Sequence, residues 1–346
     1  MQTASFAAPF ISAVGRRGRA RPGFSMLACM TFLSATPSFA QDASRASDSP
    51  TSTSAGSEPR PRTSLPVVAS EQRPRAFIFL MAEHAPGGEY SDASGGVDIS
   101  RTRATLDLIM PASDKGTIGV GFLSEYSIYD FDQGSGGTAF GEPWDDTTGQ
   151  RVNLRYSHTL DDQWSLSVGG GVESARETGA AFDDSLLYTL AGGAQYTVRK
   201  DLKVGLFAAA QTSLEDDPTF FAIPGVEWQF AERWKFAAGI GRAPGLGVEW
   251  QSSDRQWNIG LRTRFESREF RLAEDNLLAP GGVGADRRVP VYLDVDWNLS
   301  EQFSLNAMVG VSFEQRLKYQ DAGGTTLDRT DVDPAPFFSF GVALRF

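Results

Sequence analysis

The chain has 346 residues, with 32 basic and 43 acidic side chains, a formal net charge of −11 and one cysteine. The acidic balance argues against nucleic acid as a partner, and a lone cysteine excludes a disulfide framework. The length admits either two soluble domains or one large barrel.

Residues 1–40 carry Arg16, Arg17, Arg19 and Arg21, then an apolar run from Phe24 to Ala35, then Ser38-Phe39-Ala40. A basic flank, a short apolar core and a small-x-small ending describe a secretory signal peptide cleaved after Ala40. The run is too short to cross a bilayer as a helix, and no stretch of roughly 20 apolar residues follows it. Arg16-Arg17 lacks the apolar residue at the spacing the folded-export route uses. Cleavage removes Cys29 and four arginines but no acid, which leaves a cysteine-free chain of net charge −15. Residues 41–75 are rich in Ser, Thr, Ala and Pro and hold few large apolar side chains, the composition of a disordered leader.

From residue 76 to 346 one unit recurs: an alternating segment ending near an aromatic, then a two- or three-residue polar turn, then another alternating segment. Examples are Tyr156–Leu160 with Trp164, Trp228–Phe230 with Trp234, Trp250 with Trp257, and Trp297 with Phe303. Aromatic rings bracketing short turns suit a membrane–water interface. A soluble β-sandwich is the competing reading, because aromatics near turns are ordinary core there. Short turns fall near 113–115, 161–163, 200–201, 231–232, 253–255 and 300–301. Longer connections fall at 85–97, 131–150, 176–184, 215–218, 272–287 and 319–334. The spacing predicts an all-β protein, an antiparallel transmembrane β-barrel of about 14 strands with short periplasmic turns and longer outer loops. Ala243-Pro244-Gly245 reads as a tight turn where an outer loop belongs, so the hairpin 233–252 should be short and leave a low point on the outer rim.

Period-two alternation assigns faces. Trp257, Ile259, Leu261, Thr263 and Phe265 face lipid, and Asn258, Gly260, Arg262, Arg264 and Glu266 face the lumen. In the following segments Asp294 and Asp296, then Glu314 and Arg316, also fall on the lumen side. A charge facing lipid at mid-depth costs about 2–4 kcal/mol, so charge parity supports this register. Arg262, Arg264, Asp294 and Asp296 lie on consecutive strands, where cross-strand ion pairs form readily. Such charges either set the field of a pore or fill the lumen as a ladder; the sequence leaves both open.

The final segment, Ser339-x-Gly341-x-x-Leu344-x-Phe346, resembles the C-terminal signal strand of bacterial outer-membrane β-barrel proteins. The resemblance covers residues 76–346 as an architecture. It implies insertion by the barrel assembly machinery, with outer-membrane lipid and lipopolysaccharide as surroundings and the cell outer membrane as the location. The reading is a passive channel for small polar or charged solutes. The alternatives are a plugged structural or adhesive barrel acting through acidic outer loops, and a rim-active hydrolase. No catalytic residues are assigned. His84 and His158 stand two residues from Pro86 and Leu160 rather than from a serine. The outer-membrane phospholipase resemblance therefore fails, while Glu83-His84 with Asp145-Asp146 or Asp216-Asp217 only mimics a rim protease. No cofactor or metal is expected: Asp130-x-Asp132, Glu215–Asp217 and Asp331-x-Asp333 lack a calcium-loop spacing, and no Cys/His set exists for zinc.

Overall fold

The computed structural model describes residues 74–92, 94–132, 140–239 and 245–346. The expected signal peptide and nearly all of the leader lie outside the described residues, as do Ala243 and Pro244.

Strands follow one another as β1 (Arg75–Glu89), β2 (Gly96–Ser113), β3 (Gly116–Asp132), β4 (Asp146–Thr159), β5 (Trp164–Glu177), β6 (Leu186–Arg199), β7 (Leu202–Gln211) and β8 (Thr219–Ala231). They continue as β9 (Trp234–Ala238), β10 (Gly245–Gln251), β11 (Trp257–Arg264), β12 (Glu266–Arg271), β13 (Val283–Asn298), β14 (Phe303–Gln320), β15 (Thr326–Val332) and β16 (Ala335–Arg345). β11 and β12 are halves of one stave broken at Phe265, and β15 and β16 are halves of another. Sixteen strands thus make a 14-stave antiparallel barrel. β16 closes it against β1, from Phe77 opposite Arg345 to His84 opposite Phe338. Closure leaves no sheet edge in the hydrocarbon, where an unpaired backbone group costs several kcal/mol.

The alternation read from sequence becomes an inside and an outside. Leu106, Phe122, Leu154, Leu166, Leu190, Leu206, Leu261, Leu293 and Val309 are exposed on the outer surface as an apolar belt. At the periplasmic end lies an aromatic girdle: Trp257 stacks on Trp297 at 5.2 Å, Trp164 is tilted against Tyr196 at 4.9 Å, and Trp228 meets Phe230 at 5.6 Å. Every short turn falls where the sequence places it. Several outer connections are shorter than expected, because pairing continues above the belt: β1 runs to Glu89, β13 starts at Val283, and β14 runs to Gln320; the one expected at 215–218 is longer, between Gln211 and Thr219.

The outer rim is uneven. β2 and β14 have 18 residues each, while β9 has 5 and β10 has 7, short of the roughly 9–11 that a spanning strand needs. Both strands of the hairpin expected to be short are short. At the next stave, the described part of β10 reaches only to Gly245 opposite Arg264, and among the described residues no strand of that hairpin pairs with the stave beyond Phe265. β12 stays paired with β13 and turns into the lumen until Arg271 meets Arg176 of β5. Beyond Phe265, β12 therefore closes a narrower enclosure with β1–β5 and β13–β16.

Candidate functional site

The inward turn of β12 brings charged side chains from six strands together. Asp286 of β13 pairs with Arg101 of β2, which also donates to Glu83 of β1 at 3.1 Å. Glu83 accepts from Arg288 at 2.6 Å, and Arg288 donates to Glu266 at 2.7 Å. Glu266 also accepts from Arg264 Nε at 2.6 Å and Arg268 at 3.1 Å. Arg268 reaches Glu125 of β3 at 2.7 Å, which in turn accepts from Arg103 Nε at 3.0 Å. Acid and base thus alternate along one chain of contacts across the lumen. Glu83, Arg101, Glu266, Asp286 and Arg288 have side chains 0 % to 4 % exposed, so the centre of the network is dry. Buried charges persist only when paired and hydrogen-bonded, and Gln315 completes Asp286 at 3.1 Å.

Above it lies an apolar core inside the barrel. Phe140 and Trp144 enter from the β3–β4 connection, and Phe270 and Leu272 come from β12 and its end. They pack on Tyr129, Phe131, Leu317 and Tyr319 from the wall. Trp144 is edge-on to Tyr129, Phe131 and Phe270 with centroids 5.6, 5.5 and 5.0 Å away. This half of the lumen is filled from the outer mouth down to the ion network.

The opposite wall differs. Inward positions of β5–β10 are small at Gly169, Gly171, Ala191, Gly193, Gly205, Ala209, Ala237 and Gly247. Its ion pairs remain wet. Glu227 lies 3.2 Å from Lys235 and 3.8 Å from Lys203; Arg262 donates to Glu249 at 2.9 Å and lies 3.0 Å from Asp294. Apart from Asp294, these side chains are 18 % to 33 % exposed. On the turns below, outside the membrane, the Asp161 carboxylate is held under its ordinary value. The cause is the backbone N–H groups of Trp164 and Gln163 bonding to it.

Of the six lumen charges expected from sequence, four face the lumen. Arg262 meets Asp294, as the register implied. Arg264 instead meets Glu266, and Asp296 accepts from Asn306 at 2.9 Å. Glu314 and Arg316 are corrections: both are exposed on the outside, and Arg316 pairs with Asp331 at 2.6 Å. A bulge reverses the face, because β14 passes from Phe313 opposite Val289 to Arg316 opposite Arg287 with Glu314 at φ +48°. One extra residue inverts the parity of everything beyond it. Gln315 and Leu317 take the inward positions instead.

Sequence reasoning missed Glu83, Asp286 and Arg288. Glu83 sits in a segment apolar on both faces, and the other two fall in what reads as a loop. The one available signal was period two continuing from Tyr292 back through Pro290 to Arg288 and Asp286. Ser339 and Gly341 face inward, while Phe340 and Phe346 are exposed on the outside.

His84 lies within β1 rather than at a loop, facing out, with Nδ1 2.9 Å from Ser100 Oγ on β2. A base beside a hydroxyl is the start of a nucleophilic site. Here β1 is paired on both sides, so ladder hydrogen bonds consume the backbone N–H groups an oxyanion would need. Glu83 points the other way, into the lumen, so Glu83 and His84 share no site. His158 faces out beside Tyr156, 3.2 Å from its hydroxyl. Asp146 accepts from Tyr126 at 2.7 Å, a structural use of that acid. Among the described residues no group of three or more His, Cys, Asp or Glu side chains converges to hold a metal ion.

A sequence profile described as "Domain of unknown function (DUF6268)" matches residues 145–345. No curated protein matches the chain. Among solved structures, a Pseudomonas aeruginosa FadL homologue is similar at 12% identity and a TM-score of 0.44, over 80% of this chain and 90% of that one. An outer membrane channel from Pseudomonas putida F1 is similar at 10% identity and a TM-score of 0.42, over 84% and 100%. The KdgM porin follows at 11% and 0.32, over 78% and 99%. These likenesses are ones of barrel form.

Proposed function

Because the chain belongs to the DUF6268 family, whose description assigns no function, we propose from its own residues that the barrel is a passive channel for small polar or charged solutes in the outer membrane. The observation that carries this reading is the wet wall: Lys203, Glu227, Lys235, Glu249 and Arg262 stay solvent-accessible over small residues, while Glu83, Arg101, Glu266, Asp286 and Arg288 opposite are dry. A path along the wet wall would pass Lys203, Glu227, Lys235, Glu249 and Arg262. Fixed charges of both signs on a narrow path select solutes by charge and size. The test is single-channel recording of the refolded protein in a planar bilayer, after a heat-modifiable gel shift verifies folding. Discrete conductance steps are expected, and Arg262→Ala should move the reversal potential toward cation preference. Silence from folded protein would sink the channel reading.

The filled half of the lumen favours a second reading, a plugged barrel whose acidic outer loops do structural or adhesive work. No catalytic role is proposed, since the Ser100–His84 pair lacks oxyanion donors. Export with cleavage after Ala40, recognition of Ser339–Phe346 by the assembly machinery, and contact with lipopolysaccharide belong to the same proposal. The mass of the mature protein tests the cleavage.

A further inference from the structure

We propose that the periplasmic half of the lumen holds a binding cradle for small zwitterionic solutes of the amino-acid type, formed by Asp107, Asn153 and Arg155. The proposal rests on the channel reading and names the solute class such a channel would take.

The cradle arises from the register. Asp107 on β2 stands opposite Gly121 on β3, which stands opposite Asn153 on β4. One inward position lower, Gly119 on β3 stands opposite Arg155 on β4. β3 therefore contributes no side chain between the acid and the base, and its two glycines form a floor. That floor is required. A Cβ on Gly121 would run into the side-chain oxygens of Asn153 and Asp107, and one on Gly119 would lie 3.4 Å from Arg155 Nη2. Asp107, Asn153, Arg155 and Ser167 line a hollow of ≈ 50 Å³, with Phe207 as its apolar wall. A single water needs only about 10–15 Å³ measured in the same way.

The acid gives the second, independent sign of a ligand. Asp107 is 7% exposed, yet its Oδ2 has no hydrogen-bond partner. Buried polar atoms in proteins nearly always have one, so an exception calls for an occupant. An ammonium group supplies three donors to a carboxylate oxygen. A guanidinium supplies a planar fork that fits a solute carboxylate. Asp107 and Arg155 side by side therefore match a molecule bearing both groups, with a small apolar body against Phe207. A solute with only one of the groups makes only one of these two contacts, so it binds more weakly than one that carries both.

The test is calorimetric titration of the refolded full barrel in detergent, with L-alanine, propionate and ethylamine as probes. Alanine should bind at least tenfold more tightly than either single-group probe. Asp107→Asn should weaken alanine at least tenfold and leave propionate unchanged; Arg155→Gln should weaken both alanine and propionate. Equal affinity for the three probes, or no heat with any of them, overturns the proposal and leaves Asp107 and Arg155 as an internal ion pair. The probe comparison on the parent protein stands even if a variant fails to fold. Binding without conductance would refute the channel and keep the cradle, whereas conductance without alanine preference would do the reverse.

Discussion

The two sides of the lumen use the same residue types to opposite ends. On the side of β1–β3 and β12–β13, Glu83, Arg101, Glu266, Asp286 and Arg288 are fully enclosed, Glu83 and Glu125 each touch two bases, and Glu266 touches three. On the side of β7–β11, similar pairs sit in water over a floor of glycine and alanine. Enclosed charges depend on every partner, since removing one leaves another desolvated and uncompensated. Wet pairs contribute little to stability, because solvent screens them and either partner can be hydrated alone. The difference separates a scaffold from a candidate conduit within one barrel.

The largest effect is expected from breaking the dry hub. Glu266→Gln removes the acid shared by Arg264, Arg268 and Arg288 and should lower stability by about 3–5 kcal/mol. The wet counterpart Glu249→Gln should cost under about 1 kcal/mol. Urea unfolding of both variants in lipid vesicles measures the contrast, and equal losses would show that the two sides do not differ. Trp144→Ala should also cost about 3–5 kcal/mol by emptying the outer core. Its conductance should nevertheless match the parent if solutes follow the wet wall, and a large increase would move the path through the core. A smaller gain is expected at the bulge: glycine adopts the φ +48° of Glu314 without the Cβ penalty. Glu314→Gly should therefore raise stability by about 1 kcal/mol.

The smallest effect concerns the periplasmic turn. Asp161 has a folded-state value below its unfolded one, so its ionised form stabilises the turn. That contribution is present above the ordinary aspartate range and is lost as pH falls through the folded value. Asp161→Asn should flatten this part of the acid-unfolding profile, and an unchanged profile would remove Asp161 from the account.

Much of this molecule was legible as sequence wherever one periodicity held without interruption. The alternation from Trp257 to Glu266 and from Leu305 to Phe313, with tryptophans beside each short turn, identifies strands, faces and the periplasmic girdle. These follow from local chemistry, because lipid on one side and water or protein on the other demand period two and place amphipathic rings at the interface. The shortness of β9 and β10 was also expected from the sequence.

The interior was not legible, because it depends on what lies opposite in space. Glu314 and Arg316 carry the same pattern as their neighbours, and only the pairing with Val289 and Arg287 reveals the bulge that turns them outward. Glu83, Glu266 and Arg288 are joined by no sequence spacing; they meet because β12 stays paired with β13 and turns into the lumen toward β5. Local propensity and lipid contact thus settled strand, face and girdle from the chain alone. Which half of the lumen is filled, and which charges stay wet, was decided by the uneven rim and the long-range packing it permits.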